Sequence, residues 1–151
     1  MHVNLKKKIH EYCIEYIKER IQTAEKNINE AREAANNETK SSAGDKYETA
    51  REMMQQEIDM NLSRLAEAQT QLQLLEQIDP EKVSNVVGAG SLITTNKGIY
   101  YVATGIGKIL MEGQHFMAIS ITSPIGIAMK GLKKGDSFSF NGNTYLVEDI
   151  G

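Results

Sequence analysis

The apolar residues of the first half of the chain recur at alternating spacings of three and four. They run Ile14, Ile17, Ile21, Ala24, Ile28, Ala31 and Ala35, and then, after a polar gap, Tyr47, Ala50, Met54, Ile58, Leu62, Leu65, Gln69 and Leu72. A heptad pattern of this kind keeps one narrow apolar stripe on a helix, and a partner helix must cover it. Two such arms on one chain predict an antiparallel coiled-coil hairpin. In the second arm the steps 54, 58 and 62 are two fours in a row, a stutter that locally unwinds a supercoil. Each arm of about 34 residues extends roughly 50 Å at 1.5 Å per residue, so the bend is expected far from the rest of the protein.

The gap from Asn36 to Asp45 holds no bulky apolar residue and is the expected bend. Ser42 suits an N-cap for the second helix, with Asp45 three residues on in the role of a capping-box acid. Asn4 is the expected N-cap of the first helix. Its first turns carry a shifted stripe, Leu5, Ile9, Tyr12 and Tyr16, which implies a second packing partner at that end. Lys6, Lys7 and Lys8 read as a solvated face, and Cys13 as a packed small residue rather than a nucleophile. Pro80 stops the second helix, because proline lacks an N–H and turns the residue before it away from helix.

Composition changes at that point. Of 12 glycines, all but Gly44 lie at or beyond Gly88. Turn chemistry divides the second half into strands. One hairpin is expected around Asn96-Lys97-Gly98, a turn at Glu112-Gly113 precedes a strand from Phe116, and the strongest hairpin signal is Asn141-Gly142. Pro124 to Leu132 suits a short helix with proline at its start and Gly131 near its end. The expected fold class is α+β: residues 1–79 as the helical hairpin, and residues 80–151 as a small antiparallel sheet domain with one short helix.

The formal net charge of −3 argues against direct, sequence-specific nucleic-acid binding, which calls for a basic surface. No apolar run reaches the length of a membrane span, the first residues lack the apolar core of a signal peptide, and a single cysteine allows no internal disulfide. These features predict a cytoplasmic protein. His2, His10 and His115 are too scattered for a metal site or a triad, and neither a cofactor nor an enzyme activity of the chain's own is expected.

The stretch Ile121-Thr122-Ser123-Pro124-Ile125-Gly126-Ile127-Ala128-Met129-Lys130-Gly131-Leu132-Lys133-Lys134-Gly135-Asp136 resembles the C-terminal signature of Gre-type transcription elongation factors. Those proteins share a Ser-Pro-Ile/Leu start, an alanine inside the helix, a loop with glycine and lysine, and Gly-Asp before a strand. Lys46-Tyr47-Glu48-Thr49-Ala50-Arg51-Glu52 is similar to the segment that opens the family's second helix. The resemblance covers nearly the whole chain. It implies an N-terminal antiparallel coiled coil followed by a domain of FKBP-like fold, and a protein that binds bacterial RNA polymerase. In the family the C-terminal domain docks at the mouth of the polymerase secondary channel, and the coiled coil reaches toward the active site. The docking residues carried over are Thr122, Ser123 and Pro124, where many members hold an acidic residue at the position of Thr122.

At the family's tip two acidic residues help hold a Mg²⁺ ion for transcript cleavage, because that ion prefers hard oxygen ligands. Laid on Tyr47 and Arg51, the acidic positions fall on Lys40 and Ala43. The tip residues Glu38, Lys40, Ser41, Ser42, Ala43 and Asp45 therefore lack the family's acidic pair in register, Glu38 and Asp45 each being displaced by two residues. The resemblance thus implies a Gre-like regulator without cleavage stimulation. The alternatives are cleavage retained through Glu38 and Asp45, or a structural adaptor built on the coiled coil. A monomer is expected, with a dimer as the adaptor's alternative. FKBP-like isomerase activity is not expected, since it needs an aromatic-lined pocket and the chain has no Trp and three Phe.

Overall fold

The computed structural model describes residues 2–41 and 45–151, with side chains from residues 4–37 and from 48 onward. Helix α1 (His2–Ser41) is followed by α2 (Asp45–Glu76). Six strands and one short helix follow: β1 (Leu92–Thr95), β2 (Gly98–Val102), β3 (Gly107–Met111), β4 (Gln114–Ile119), α3 (Pro124–Met129), β5 (Ser137–Phe140) and β6 (Asn143–Ile150). The architecture is the expected one, a helical hairpin followed by a small α+β sheet domain. Two compact units can be described separately, Glu15–Leu72 and the combination of Met1–Ile14 with Gln73–Gly151. The boundary between them runs across both long helices.

Within the helical unit, the seam read for α1 holds. Ile17, Ala24, Ile28 and Ala31 are buried, and Ile21 and Ala35 are half-buried, as is Ile14 just outside this unit. The seam of α2 differs from the expected one. Its buried positions are Ile58, Asn61 and Ala68, with Ala50, Met54, Leu65 and Leu72 half-buried, whereas Leu62 and Gln69 face outward. With Asn61 in the place expected for Leu62, the run of fours ends at Ile58, leaving the steps 50, 54 and 58. Asn61 takes the seam place of its apolar neighbour because its amide is satisfied there. Asn61 Nδ2 donates to the Glu57 carbonyl at 2.9 Å, and Asn27 Nδ2 donates to Asn61 Oδ1 at 3.4 Å. Beyond this polar rung Ile28, Ala31 and Ile58 form an apolar cluster with Leu65 against it.

The bend is shorter than expected. Helix α1 continues to Ser41 and α2 starts at Asp45, so residues 36–41 are helical rather than looped. Asn, Thr, Lys and Ser disfavour helix by only tenths of a kcal/mol each, and no glycine or proline interrupts them before Gly44. Helix α1 also begins at His2 rather than at Asn4.

The sheet has the order β3-β4-β2-β1-β6-β5. All neighbours are antiparallel except β2 and β4, which run parallel with Tyr100 beside Met117. The sheet is thus mixed, a correction to the all-antiparallel reading. The crossover that makes β4 parallel to β2 contains β3 (Gly107–Met111), a strand for which the sequence reading named only the turn that follows it. The other turns fall where the sequence puts them, and Glu112 and Asn141 adopt positive φ (52° and 51°) ahead of Gly113 and Gly142, as two-residue hairpin loops require.

Each face of the sheet carries buried residues, and the β3–β4 edge is left partly open. Ile93, Tyr100, Val102, Ile119, Phe138, Tyr145 and Val147 form one core with Met129 of α3. The Phe138 and Tyr145 rings stack at 4.9 Å. On the opposite face, Tyr101 is fully buried and its hydroxyl meets His10 Nδ1 of α1 at 2.8 Å. The first turns of α1 bury Lys6, Ile9, His10 and Cys13, while Tyr12 and Tyr16 are each more than a third exposed. The stripe at this end is therefore rotated from the one read in the sequence. Lys6 in particular is not part of a solvated face. Its stem is buried and Nζ donates to the Lys82 carbonyl at 2.7 Å. Lys7 and Lys8 do face solvent, paired with Glu81 and Glu112.

Candidate functional site

The Ser120–Ile127 segment contains the three residues expected to dock. Its shape is fixed by one acceptor. The Ser120 carbonyl accepts from Ser123 N–H at 3.1 Å and from Ser123 Oγ at 2.6 Å. Ser123 Oγ in turn accepts from Gly126 N–H at 3.1 Å, which makes Ser123 the N-cap of α3. Pro124 occupies the first helical turn, where its missing N–H costs nothing. Thr122 closes the other side, its Oγ1 lying 2.8 Å from Ser120 Oγ. Thr122 and Pro124 are exposed and Ser123 is half-buried.

Two contributors escaped the sequence reading. Gly126 leaves room for the Ser120 carbonyl, since a Cβ there would stand 2.2 Å from that oxygen. Ile127 projects into solvent, 64% exposed, one turn after Ser123. The glycine immediately inside a proline-started helix was the available signal for a close backbone approach. Ile127 carried no signal, because its exposure depends on which side of the short helix packs on the sheet.

After α3, the Gly135-Asp136 pair of the signature also has a local role. Asp136 Oδ2 accepts from Lys133 N–H at 2.8 Å, and Gly135, at φ 94°, donates its N–H to the Val147 carbonyl. These bonds close the turn that leads into β5. Beside the Ser120–Thr122 stretch lies a cleft of about 770 Å³, walled by Leu74, Ile78, Val86 and Ile121 with Asp79 and Lys82 among its polar residues. The exposed segment thus borders a partly apolar hollow.

The tip is described only in part. Glu38, Lys40 and Ser41 lie in the last turn of α1 and Asp45 opens α2. Ser42 and Ala43, and the side chains of the other four, lie outside the described residues, as does the expected cap at Ser42.

Elsewhere the chain's reactive groups are muted. Cys13 is fully buried, and burial pushes its thiol up to about 12. Burial likewise lowers the pKa of His10, opposed by the Leu75 carbonyl that faces its ring. Desolvation lowers Lys6 against the pull of Asp79. Among the described residues no three His, Cys, Asp or Glu side chains come together as a metal site, and no helix is long and apolar enough to cross a membrane.

No protein-family model and no curated protein matches the chain. Among solved structures, it is similar to the transcription factor Gfh1. The two share 22% identity over 91% of this chain and 92% of the other, with a TM-score of 0.38.

Proposed function

We propose that this chain is a Gre-like regulator that binds bacterial RNA polymerase without stimulating transcript cleavage. In this reading the α3 segment docks at the mouth of the secondary channel, and the helical hairpin enters the channel. The observation that supports it best is the construction of the Ser120–Ile127 segment. Its backbone is held by bonds within the segment, so Thr122, Pro124 and Ile127 are presented already ordered. A pre-ordered surface loses little conformational freedom on binding. The sequence signature of Gre-type factors falls on the same residues.

The tip supports the second half of the reading. By the register of the sequence resemblance, Lys40 and Ala43 fall at the positions of the family's acidic pair, and neither can hold Mg²⁺ through a carboxylate oxygen. Such a protein acts by occupancy, excluding other channel-binding factors and altering initiation or pausing. Lys40 adds a positive charge to the tip sequence in place of a carboxylate. No enzymatic activity of its own is proposed, and the site of action is the cytoplasm, where the polymerase works.

The test is a pull-down of polymerase from the same host with wild-type protein and with Thr122→Arg and Ile127→Asp. These variants change exposed side chains and leave the Ser123 cap and Pro124 intact. Micromolar or tighter binding that both variants weaken supports the reading. Absence of binding at micromolar concentrations, or binding that ignores both substitutions, overturns it.

A further inference from the structure

The two edges of the sheet are unlike each other. At one edge β5 turns the exposed Ser137 and Ser139 outward. At the other edge β3 carries Leu110, which is 63% exposed. The two-residue loop Glu112-Gly113 makes Met111 and Gln114 a hydrogen-bonded pair. Bonded and non-bonded pairs alternate along an antiparallel ladder, so Ile109 bonds Phe116. The N–H and C=O groups of Lys108 and Leu110 then point away from β4. Nothing in the sheet pairs with them, since β3 is its last strand.

The side chains on that part of the sheet form one patch. Lys108 pairs with Met117 and Leu110 with His115, so all four stand on one face, and all four are exposed. The apolar centre is Leu110 with Met117, which is 38% exposed. The flanking groups are an amine and an imidazole, and none of the four is a carboxylate. The nearest acid in the hairpin, Glu112, is already held by Lys8 at 2.7 Å. An open edge, an apolar strip and an unopposed cation together fit β-strand addition. Natural edges of this kind are usually blunted by a proline, a bulge, a cover or a charged side chain; of these β3 carries only the lysine, Lys108, which a strand with a carboxylate opposite it would neutralise.

We propose that β3 docks an extended peptide strand that presents an apolar and an acidic side chain, two residues apart, to Leu110 and Lys108. The strand hydrogen-bonds the outward backbone groups of residues 108 and 110. Its carboxylate lies beside the Lys108 amine and its apolar side chain covers Leu110. This surface is distinct from the α3 segment, and its test does not require the polymerase.

The probe is a blocked heptapeptide with glutamate and valine two residues apart among threonines, titrated into the full chain and followed by amide NMR. The expected result is saturable shifts and slowed exchange at the Lys108 and Leu110 amides. Leu110→Pro removes an outward N–H without touching the β4 ladder and abolishes the effect. Lys108→Glu weakens binding about fivefold, the scale of a cross-strand charge pair, and transfers preference to a peptide with lysine in place of glutamate. Scattered shifts, equal binding of the two peptides, or indifference to Leu110→Pro overturns the proposal. Concentration-dependent shifts at the same amides without peptide also overturn it, in favour of pairing between two copies of the chain.

Discussion

Substituting Gly126 by alanine is the most direct challenge to the account of the α3 segment. The new Cβ would stand 2.2 Å from the Ser120 carbonyl oxygen and 3.0 Å from two backbone atoms of Ile121. Ordinary carbon–oxygen contacts begin at about 3.3 Å, so the two backbone segments must separate by about 1 Å. The oxygen cannot simply swing away, because it accepts from Ser123 N–H and from Ser123 Oγ. Forcing a methyl into a packed site costs about 1–3 kcal/mol, and losing the Ser123 cap adds about 1 kcal/mol. The expected loss is about 2–4 kcal/mol, or about 5–15 °C in midpoint for a chain of this size. Urea unfolding followed by tyrosine fluorescence suits the sheet, since Tyr100, Tyr101 and Tyr145 all lie buried in it. Gly105→Ala is the control, because a Cβ there meets nothing within 4 Å. A loss below about 0.5 kcal/mol, the range of a surface change, would refute the reasoning, and the same variant should bind polymerase more weakly.

Three further outcomes follow from buried groups. Replacing Asn27 and Asn61 together by leucine should stabilise the helical hairpin by about 1 kcal/mol, because a marginal 3.4 Å bond gives way to apolar packing; a lower melting point for the double variant would contradict this. Burial lowers the His10 pKa below its unfolded value, so the unfolded chain binds more protons in that range and stability must fall as pH drops below about 6.5. His10→Gln should flatten the stability profile between pH 8 and pH 5, and an unchanged slope would remove His10 as the cause. Cys13 should resist a thiol reagent until the protein unfolds, since burial holds its thiol at about 12; labelling at the rate of a free thiol in native buffer would show the site to be open.

The residues that were legible in the sequence are those whose role is local. Asn96-Lys97, Glu112-Gly113 and Asn141-Gly142 impose turns through their own backbone preferences, and the α1 seam is written in uninterrupted apolar spacing. Asn61 was missed because periodicity weighs hydrophobicity, and Leu62 is the stronger apolar residue one place away. Only a partner amide 34 positions earlier makes the polar residue the better seam member. Lys6 and His10 were missed for the same kind of reason, since their partners lie at Lys82 and Tyr101. The parallel pairing of β2 with β4 has no local signature at all. At the α3 segment Ser123 and Pro124 announced a helix start, whereas Ser120 acquired its role only from the path of the chain around it.

The central claim is that the end of the helical hairpin reaches the interior of the polymerase. It can be tested with a single photo-crosslinker attached at Lys40→Cys, because buried Cys13 leaves the new thiol as the selective target. In complex with the host polymerase, the account predicts crosslinks to the catalytic subunits beside the active centre, lost when Thr122→Arg weakens docking. Crosslinks confined to the outer surface of the polymerase, or none from a bound complex, would contradict it.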